Sequence, residues 1–112
     1  MNGSDSQIHL GPGLYIDVKL EAVVRDGMVY SLSRLQFRLL HYLAKHLNIP
    51  VSTDDLIHEV WGHHLVSRDE LYVYVSRVKR IVEKNPATPD YLLTVRGYGY
   101  ILRADMQSSE NM

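Results

Sequence analysis

The stretch Ser67–Lys84, SRDELYVYVSRVKRIVEK, decides the fold of this chain. Its apolar side chains recur at helical steps and form one buried stripe, at Leu71, Val75, Val78 and Val82. At about 100° per residue, the opposite face carries Val73, Arg77, Arg80 and Lys84, with Ser76 beside it. An α-helix with an apolar back and a basic front fits the major groove of DNA, although an ordinary solvated face has the same pattern.

The composition of the 112-residue chain fits one ordinary globular domain, because 46% of the residues are hydrophobic and 22% are charged. It contains no cysteine, which excludes a disulfide framework and a thiolate zinc site. No apolar run approaches the roughly 18 residues of a membrane span, and the polar start MNGSDSQ is not a signal peptide. We therefore expect a cytoplasmic protein.

Charge is unevenly distributed along the chain, although the net charge is only −1. Residues 68–103 carry seven basic and four acidic side chains, whereas residues 1–67 carry five basic and seven acidic ones. The cationic surplus therefore lies in the segment that contains the basic helix, as in a nucleic-acid-binding surface.

Three predicted helix starts share one pattern of an apolar residue, a serine N-cap, a polar N3 residue and a second apolar residue. They are Leu32-Ser33-x-x-Gln36-Phe37, Val51-Ser52-x-x-Asp55-Leu56 and Val66-Ser67-x-x-Glu70-Leu71. The N3 side chain can bond back to the cap, and the apolar pair forms a hydrophobic staple. This pattern predicts helices from Ser33 to about Leu47, from about Thr53 to Trp61, and from Ser67 to Lys84. The last two, joined by a tight link, resemble a helix-turn-helix.

Short β-like segments flank the helices. Alternation between Ile8 and Leu32 predicts a small antiparallel sheet, broken at Gly11-Pro12-Gly13 and turned at Asp26-Gly27 by a type I′ hairpin. After a loop at 85–90, the segments 91–95 and 100–102 are typical of two strands around Arg96-Gly97-Tyr98-Gly99. We expect one domain over residues 8–103, with disordered tails at 1–7 and 104–112.

These segments resemble the DNA-binding (effector) domain of OmpR/PhoB-type response regulators, the winged-helix transcription factors of bacterial two-component systems. The resemblance covers about residues 13–102. It is carried by Asp26-Gly27 with Leu32–Leu40, by Val51-Ser52 with Val60-Trp61-Gly62, by Val73–Lys79, and by Thr94–Tyr100, TVRGYGY. It implies an α+β fold, a winged helix-turn-helix with an N-terminal four-stranded antiparallel sheet, three helices and a C-terminal β-hairpin wing. The chain departs from the family pattern at Gln36, Tyr72, Tyr74 and Ile81.

The resemblance also implies a function, sequence-specific binding of double-stranded DNA by a transcriptional regulator. The third helix would enter the major groove and the wing the minor groove. Val73 and Arg77 would face bases, Arg96 would enter the minor groove, and the phosphates would be held by Ser76, Lys79, Arg80 and Thr94. Two copies would bind direct repeats in tandem, and the 62–66 loop would contact RNA polymerase. Lys84 receives no role.

A response regulator also needs an aspartate-bearing receiver domain of about a hundred residues, which does not fit within this chain. An excised effector domain, a stand-alone regulator and the head of a membrane-anchored relative all remain open. So does a different class of function, a winged-helix module that binds an acidic protein partner. Val73 and Arg77 on one helix face, together with Arg96 on the wing, favour DNA.

Other candidate sites have simpler interpretations. No nucleophile–base pair, carboxylate dyad or phosphate-binding glycine loop is visible, so we expect neither an enzyme nor a cofactor. The segment His58–His63 is not HExxH, because its second histidine comes five positions later and after Gly62, and we expect no metal. Trp61 is interpreted as a core residue. Tyr91, Tyr98 and Tyr100 are interpreted as packing aromatics of the hairpin, with Tyr98 the most exposed.

Overall fold

The computed structural model describes residues 6–63 and 65–105. Four antiparallel strands come first and pair in chain order: β1 (Gln7–Gly11), β2 (Leu14–Asp17), β3 (Ala22–Arg25) and β4 (Met28–Ser31). The helices are α1 (Arg34–Ala44), α2 (Thr53–Trp61) and α3 (Arg68–Val82). A second sheet has the order β5-β7-β6, from β5 (Val51–Ser52), β6 (Leu92–Val95) and β7 (Gly99–Leu102). The predicted α+β winged-helix architecture is confirmed.

The turn between β3 and β4 has the predicted two-residue form. Arg25 pairs with Met28, so that only Asp26 and Gly27 lie between the strands. Their φ angles are 53° and 83°, and the type I′ turn requires positive values at both positions. The hairpin sets the register that turns Val23 and Ile16 of the neighbouring strands toward the core, where both are fully buried.

All three helices begin where their serine caps predict. The hydroxyl oxygens of Ser33, Ser52 and Ser67 each accept a hydrogen bond from the N3 backbone N–H, at 3.1 Å. Within the described chain, only the α1 cap has the reciprocal bond, from Ser33 N–H to Gln36 Oε1 at 2.9 Å. The complete capping box is therefore confirmed at α1, and the other two starts rely on the serine alone.

Two of the helices, α1 and α3, end earlier than predicted. Helix α1 stops at Ala44 instead of Leu47, and the backbone N–H of Asn48 bonds to Leu102 O at 2.8 Å. Asn48 takes a φ of 64° to make this turn, so Leu47 packs partly buried from a turn. Helix α3 stops at Val82 instead of Lys84, since Glu83 is already extended, with φ −90° and ψ 138°.

The core lies between the first sheet, the helices and the second sheet. The predicted stripe of α3 is confirmed, because Leu71, Val75, Val78 and Val82 are each at most 1% exposed. Trp61 is half-buried and packs against this core, in agreement with its interpretation. Among the described residues, no helix is both long enough and apolar enough to cross a membrane.

Residues next to the predicted domain limits, Ile8 and Arg103, are bonded to the fold. Gln7 begins β1, and the backbone N–H of Ala104 bonds to Asn48 Oδ1 at 3.1 Å. Asp105 N–H donates to Leu10 O at 2.6 Å, which ties the end of the described chain to β1. The rest of both predicted tails, residues 1–5 and 106–112, lies outside the described residues.

Candidate nucleic-acid interface

The solvent face of α3 carries five of the seven predicted site residues. Val73 is 43% exposed, and Arg77 and Arg80 are also exposed. Ser76 and Lys79 are half-buried at the edge of this face. Val73 and Arg77 are four residues apart, and therefore neighbours about 6 Å apart along the helix axis. An apolar and a cationic side chain thus point outward together from a helix whose other side is fixed in the core.

Charge changes sign along α3. Asp69 and Glu70 lie in its first turn, and Lys79 and Arg80 lie in its last turn. This order stabilises the helix, since carboxylates favour the positive end of the helix dipole and cations the negative end. The basic surface is consequently concentrated on the C-terminal half of α3.

The C-terminal hairpin carries the remaining two predicted site residues. Thr94 of β6 pairs with Tyr100 of β7, and Arg96 is exposed in the turn that follows Val95. Tyr98 is 51% exposed and Tyr100 is 8% exposed. The prediction that Tyr98 is the exposed aromatic of the hairpin is therefore confirmed.

A two-residue strand that the sequence pattern did not reveal attaches the hairpin to α2. In β5, Val51 pairs with Tyr100 and Ser52 with Gly99. The backbone N–H and the hydroxyl of Thr53 both donate to Tyr98 O, at 3.0 and 3.2 Å. A Cβ atom on Gly99 would collide with the carbonyl oxygen of Val51. Glycine at this position therefore allows the close approach of the two backbones.

The N-terminal turn of α3 lies beside the hairpin. A cleft of about 170 Å³ separates them, and Arg68 and Thr53 line it together with Thr94 and Tyr98. Burial raises the pKa of the Tyr100 hydroxyl, and the nearby Tyr72 raises it further. Arg68 and Tyr72 of α3 therefore lie next to the hairpin, where sequence reasoning did not place them.

A buried carboxylate connects the end of α3 to the hairpin. Glu83 is only 2% exposed. Its Oε1 accepts from Asp90 N–H at 2.7 Å, and its Oε2 accepts from Tyr91 and Leu92 N–H at 2.9 and 2.7 Å. These bonds fix the start of β6 against α3. Sequence reasoning missed this role, because a glutamate at a helix end looks like an ordinary solvated residue.

Together these elements define a winged helix-turn-helix domain with an exposed apolar and basic helix face and an arginine at the hairpin tip. Among residues 6–63 and 65–105, no cluster of histidine and acidic side chains is arranged to hold a metal ion. The family described as "Transcriptional regulatory protein, C terminal" matches residues 27–102.

Named relatives agree with this match. The chain is 41% identical over 86 residues to the DNA-binding response regulator MtrA of Mycobacterium tuberculosis, which covers 76% of this chain and 38% of MtrA. The response regulator DrrB, a Thermotoga maritima OmpR/PhoB homolog, superposes with a TM-score of 0.76 and 26% identity, over 83% of this chain and 42% of DrrB. The Klebsiella pneumoniae RstA DNA-binding domain, crystallised with the RstA box, superposes with a TM-score of 0.75 and 27% identity. The match covers 87% of this chain and 96% of that domain.

The chain therefore belongs to the OmpR/PhoB family of response-regulator DNA-binding domains, and the predicted family is confirmed. It spans less than half the length of MtrA and of DrrB.

Proposed function

We propose that this domain binds double-stranded DNA sequence-specifically, with α3 in the major groove and the hairpin wing in the minor groove. The observation that carries the proposal is the exposed pair Val73 and Arg77 on the outer face of α3, one turn apart, beside a wing with Arg96 at its tip. The related RstA domain was crystallised in complex with its DNA box, which supports a DNA-binding role for the same fold here.

Each proposed contact follows from side-chain chemistry. Arg77 can donate two hydrogen bonds to guanine O6 and N7, and Val73 can contact a thymine methyl group. Arg96 would enter the minor groove, where a narrow width raises the negative potential. The phosphate contacts, which set register without reading sequence, are assigned to Ser76, Lys79, Arg80 and Thr94.

Further partners are proposed from membership of the OmpR/PhoB family. Two copies would bind direct repeats, so that each raises the effective concentration of the other, and regulation would take place in the cytoplasm. The 62–66 loop would contact RNA polymerase; Leu65 of this loop is 89% exposed, and His64 lies outside the described residues. We propose no catalytic role.

Selection of binding sites from random DNA duplexes tests the proposal. Two variants then distinguish a residue that recognises a base from one that binds a phosphate. Arg77→Ala is expected to cost roughly 1–3 kcal/mol at the selected site and to relax preference at one base pair. Arg80→Ala should weaken binding to all sequences alike. If no motif is enriched, or if affinity does not depend on salt, sequence-specific DNA binding is rejected. Binding of an acidic protein partner is then the remaining function.

A further inference from the structure

Three side chains from two helices, Trp61, Tyr74 and Arg77, contact one another in a row that leads from the core to the outer face of α3. Trp61, the last residue of α2, contacts Tyr74 of α3 with ring centroids 5.2 Å apart and planes at 90°. The guanidinium carbon of Arg77 lies over the same Tyr74 ring, 5.4 Å from its centroid. Trp61 and Tyr74 are half-buried, whereas Arg77 is exposed. Tyr74 therefore lies between a residue packed on the core and the arginine proposed to read a base.

Each contact in this row has a physical reason. A perpendicular pair of rings at this distance is favourable, because the positive edge of one ring meets the negative face of the other. A guanidinium within about 6 Å of a tyrosine face is attracted by the ring quadrupole. An exposed arginine otherwise samples many rotamers, and fixing it during binding reduces affinity.

From this geometry we propose that Tyr74, which packs against Trp61, is a positioning residue that orients Arg77 before DNA is bound. The inference rests on the proposed function, because it assigns Arg77 as the reader of a base. It makes Tyr74 a determinant of specificity through Arg77, without a DNA contact of its own.

The free protein provides the first test, which needs no DNA. In NMR spectra the side-chain protons of Arg77 should show ring-current shifts in the wild type and in Tyr74→Phe, which keeps the ring. The shifts should disappear in Tyr74→Leu, while circular dichroism confirms that this variant is folded. Unchanged Arg77 shifts in a folded Tyr74→Leu domain would overturn the inference.

A double-mutant cycle on DNA provides the second test. Arg77→Ala first identifies the base pair at which preference is lost. Tyr74→Leu should reduce discrimination at that pair by about two- to fivefold, the size of a cation–π contact at an exposed site, and Tyr74→Phe should not. In the Arg77→Ala background, Tyr74→Leu should have no further effect.

The outcomes separate the inference from the proposed function. An equal loss from Tyr74→Leu in both backgrounds would mean that Tyr74 acts independently of Arg77, and only the positioning role would be overturned. A selective loss in Tyr74→Phe would assign the effect to the hydroxyl and overturn it as well. A wild-type domain without sequence preference would overturn the proposed function and the positioning role together.

Discussion

At the scale of single residues, Glu83 connects two parts of the fold, although it lies at a helix end where a glutamate is usually solvated. Its carboxylate is buried, and three backbone N–H groups at 90–92 compensate the charge. Bonds to a charged acceptor are stronger than neutral ones, and a buried donor without a partner is costly. Through one carboxylate group, Glu83 therefore joins the end of α3 to the start of β6.

The substitution Glu83→Gln tests this role. An amide has only one acceptor oxygen, so its NH₂ group would face a backbone N–H and leave that donor unsatisfied. We expect a loss of roughly 2–4 kcal/mol in the free energy of unfolding, measured with urea, and faster hydrogen exchange at 90–92. Glu70→Gln, which removes the same charge from an exposed position in α3, should cost less than about 1 kcal/mol. Equal costs for the two variants would contradict the role.

Single residues also mark the limit of the sequence reasoning. The spacing of apolar residues in α3 identified the opposite face, which carries Val73 and Arg77, because helical periodicity determines which side chains lie on the same side. The partners of Glu83 lie seven to nine residues further on, across a loop, and the Trp61–Tyr74 contact joins two helices. No local pattern encodes such contacts, so they required the structure.

At the scale of elements, local chemistry predicted the beginnings of helices better than their ends. The serine hydroxyls at Ser33, Ser52 and Ser67 determine each start through a bond three residues away. The end of α1 depends on the bond from Asn48 to Leu102, more than fifty residues distant. Strand β5 was missed for a related reason, since two residues show no alternation and its pairing with β7 is tertiary.

Helix α1 also contains a residue that makes stability depend on pH. The His41 ring stacks on Phe37 with centroids 5.0 Å apart. Partial burial lowers the pKa of His41 below its usual value, Lys45 lowers it further, and Glu21 opposes both. The folded state therefore binds fewer protons than the unfolded state between the lowered pKa and about 6.5.

Stability should accordingly fall as pH decreases through this range. We expect the unfolding free energy of the wild type to drop more between about pH 7.5 and pH 5.5 than that of His41→Gln, because only the wild type must keep this imidazole neutral. Urea titrations at both pH values measure the difference, and an NMR titration of His41 checks the direction of its shift. Parallel pH profiles for the two proteins would contradict the assignment.

At the scale of the whole molecule, the location of charge matters more than its total. The net charge is −1, yet residues 68–103 carry a surplus of three positive charges. A protein of this kind should bind DNA through a local basic surface, with weak attraction elsewhere. The salt dependence of binding reports how many phosphates that surface neutralises.

Two variants with the same change in net charge test this prediction. Arg80→Gln should reduce the magnitude of the slope of log K against log salt by about one, because it would remove one of the proposed phosphate contacts. Arg103 follows the last residue of β7, at the end of the strand away from the wing tip, and Arg103→Gln should leave the slope unchanged. Fluorescence anisotropy across a salt series measures both slopes. A similar decrease in both would show that overall charge, not position, governs binding.

Ser52 and Thr53 belong both to the start of α2 and to its attachment to the hairpin, which limits how the wing can be redesigned. Ser52 caps α2 with its hydroxyl and pairs with Gly99 through its backbone, and Thr53 holds Tyr98 O with two donors. A wing transplanted from a relative would displace the start of α2 unless it kept the backbone path of residues 98–100. The side chains of Arg96 and Tyr98 carry no such constraint. New wing specificities are therefore best sought by exchanging those two side chains within an unchanged loop length.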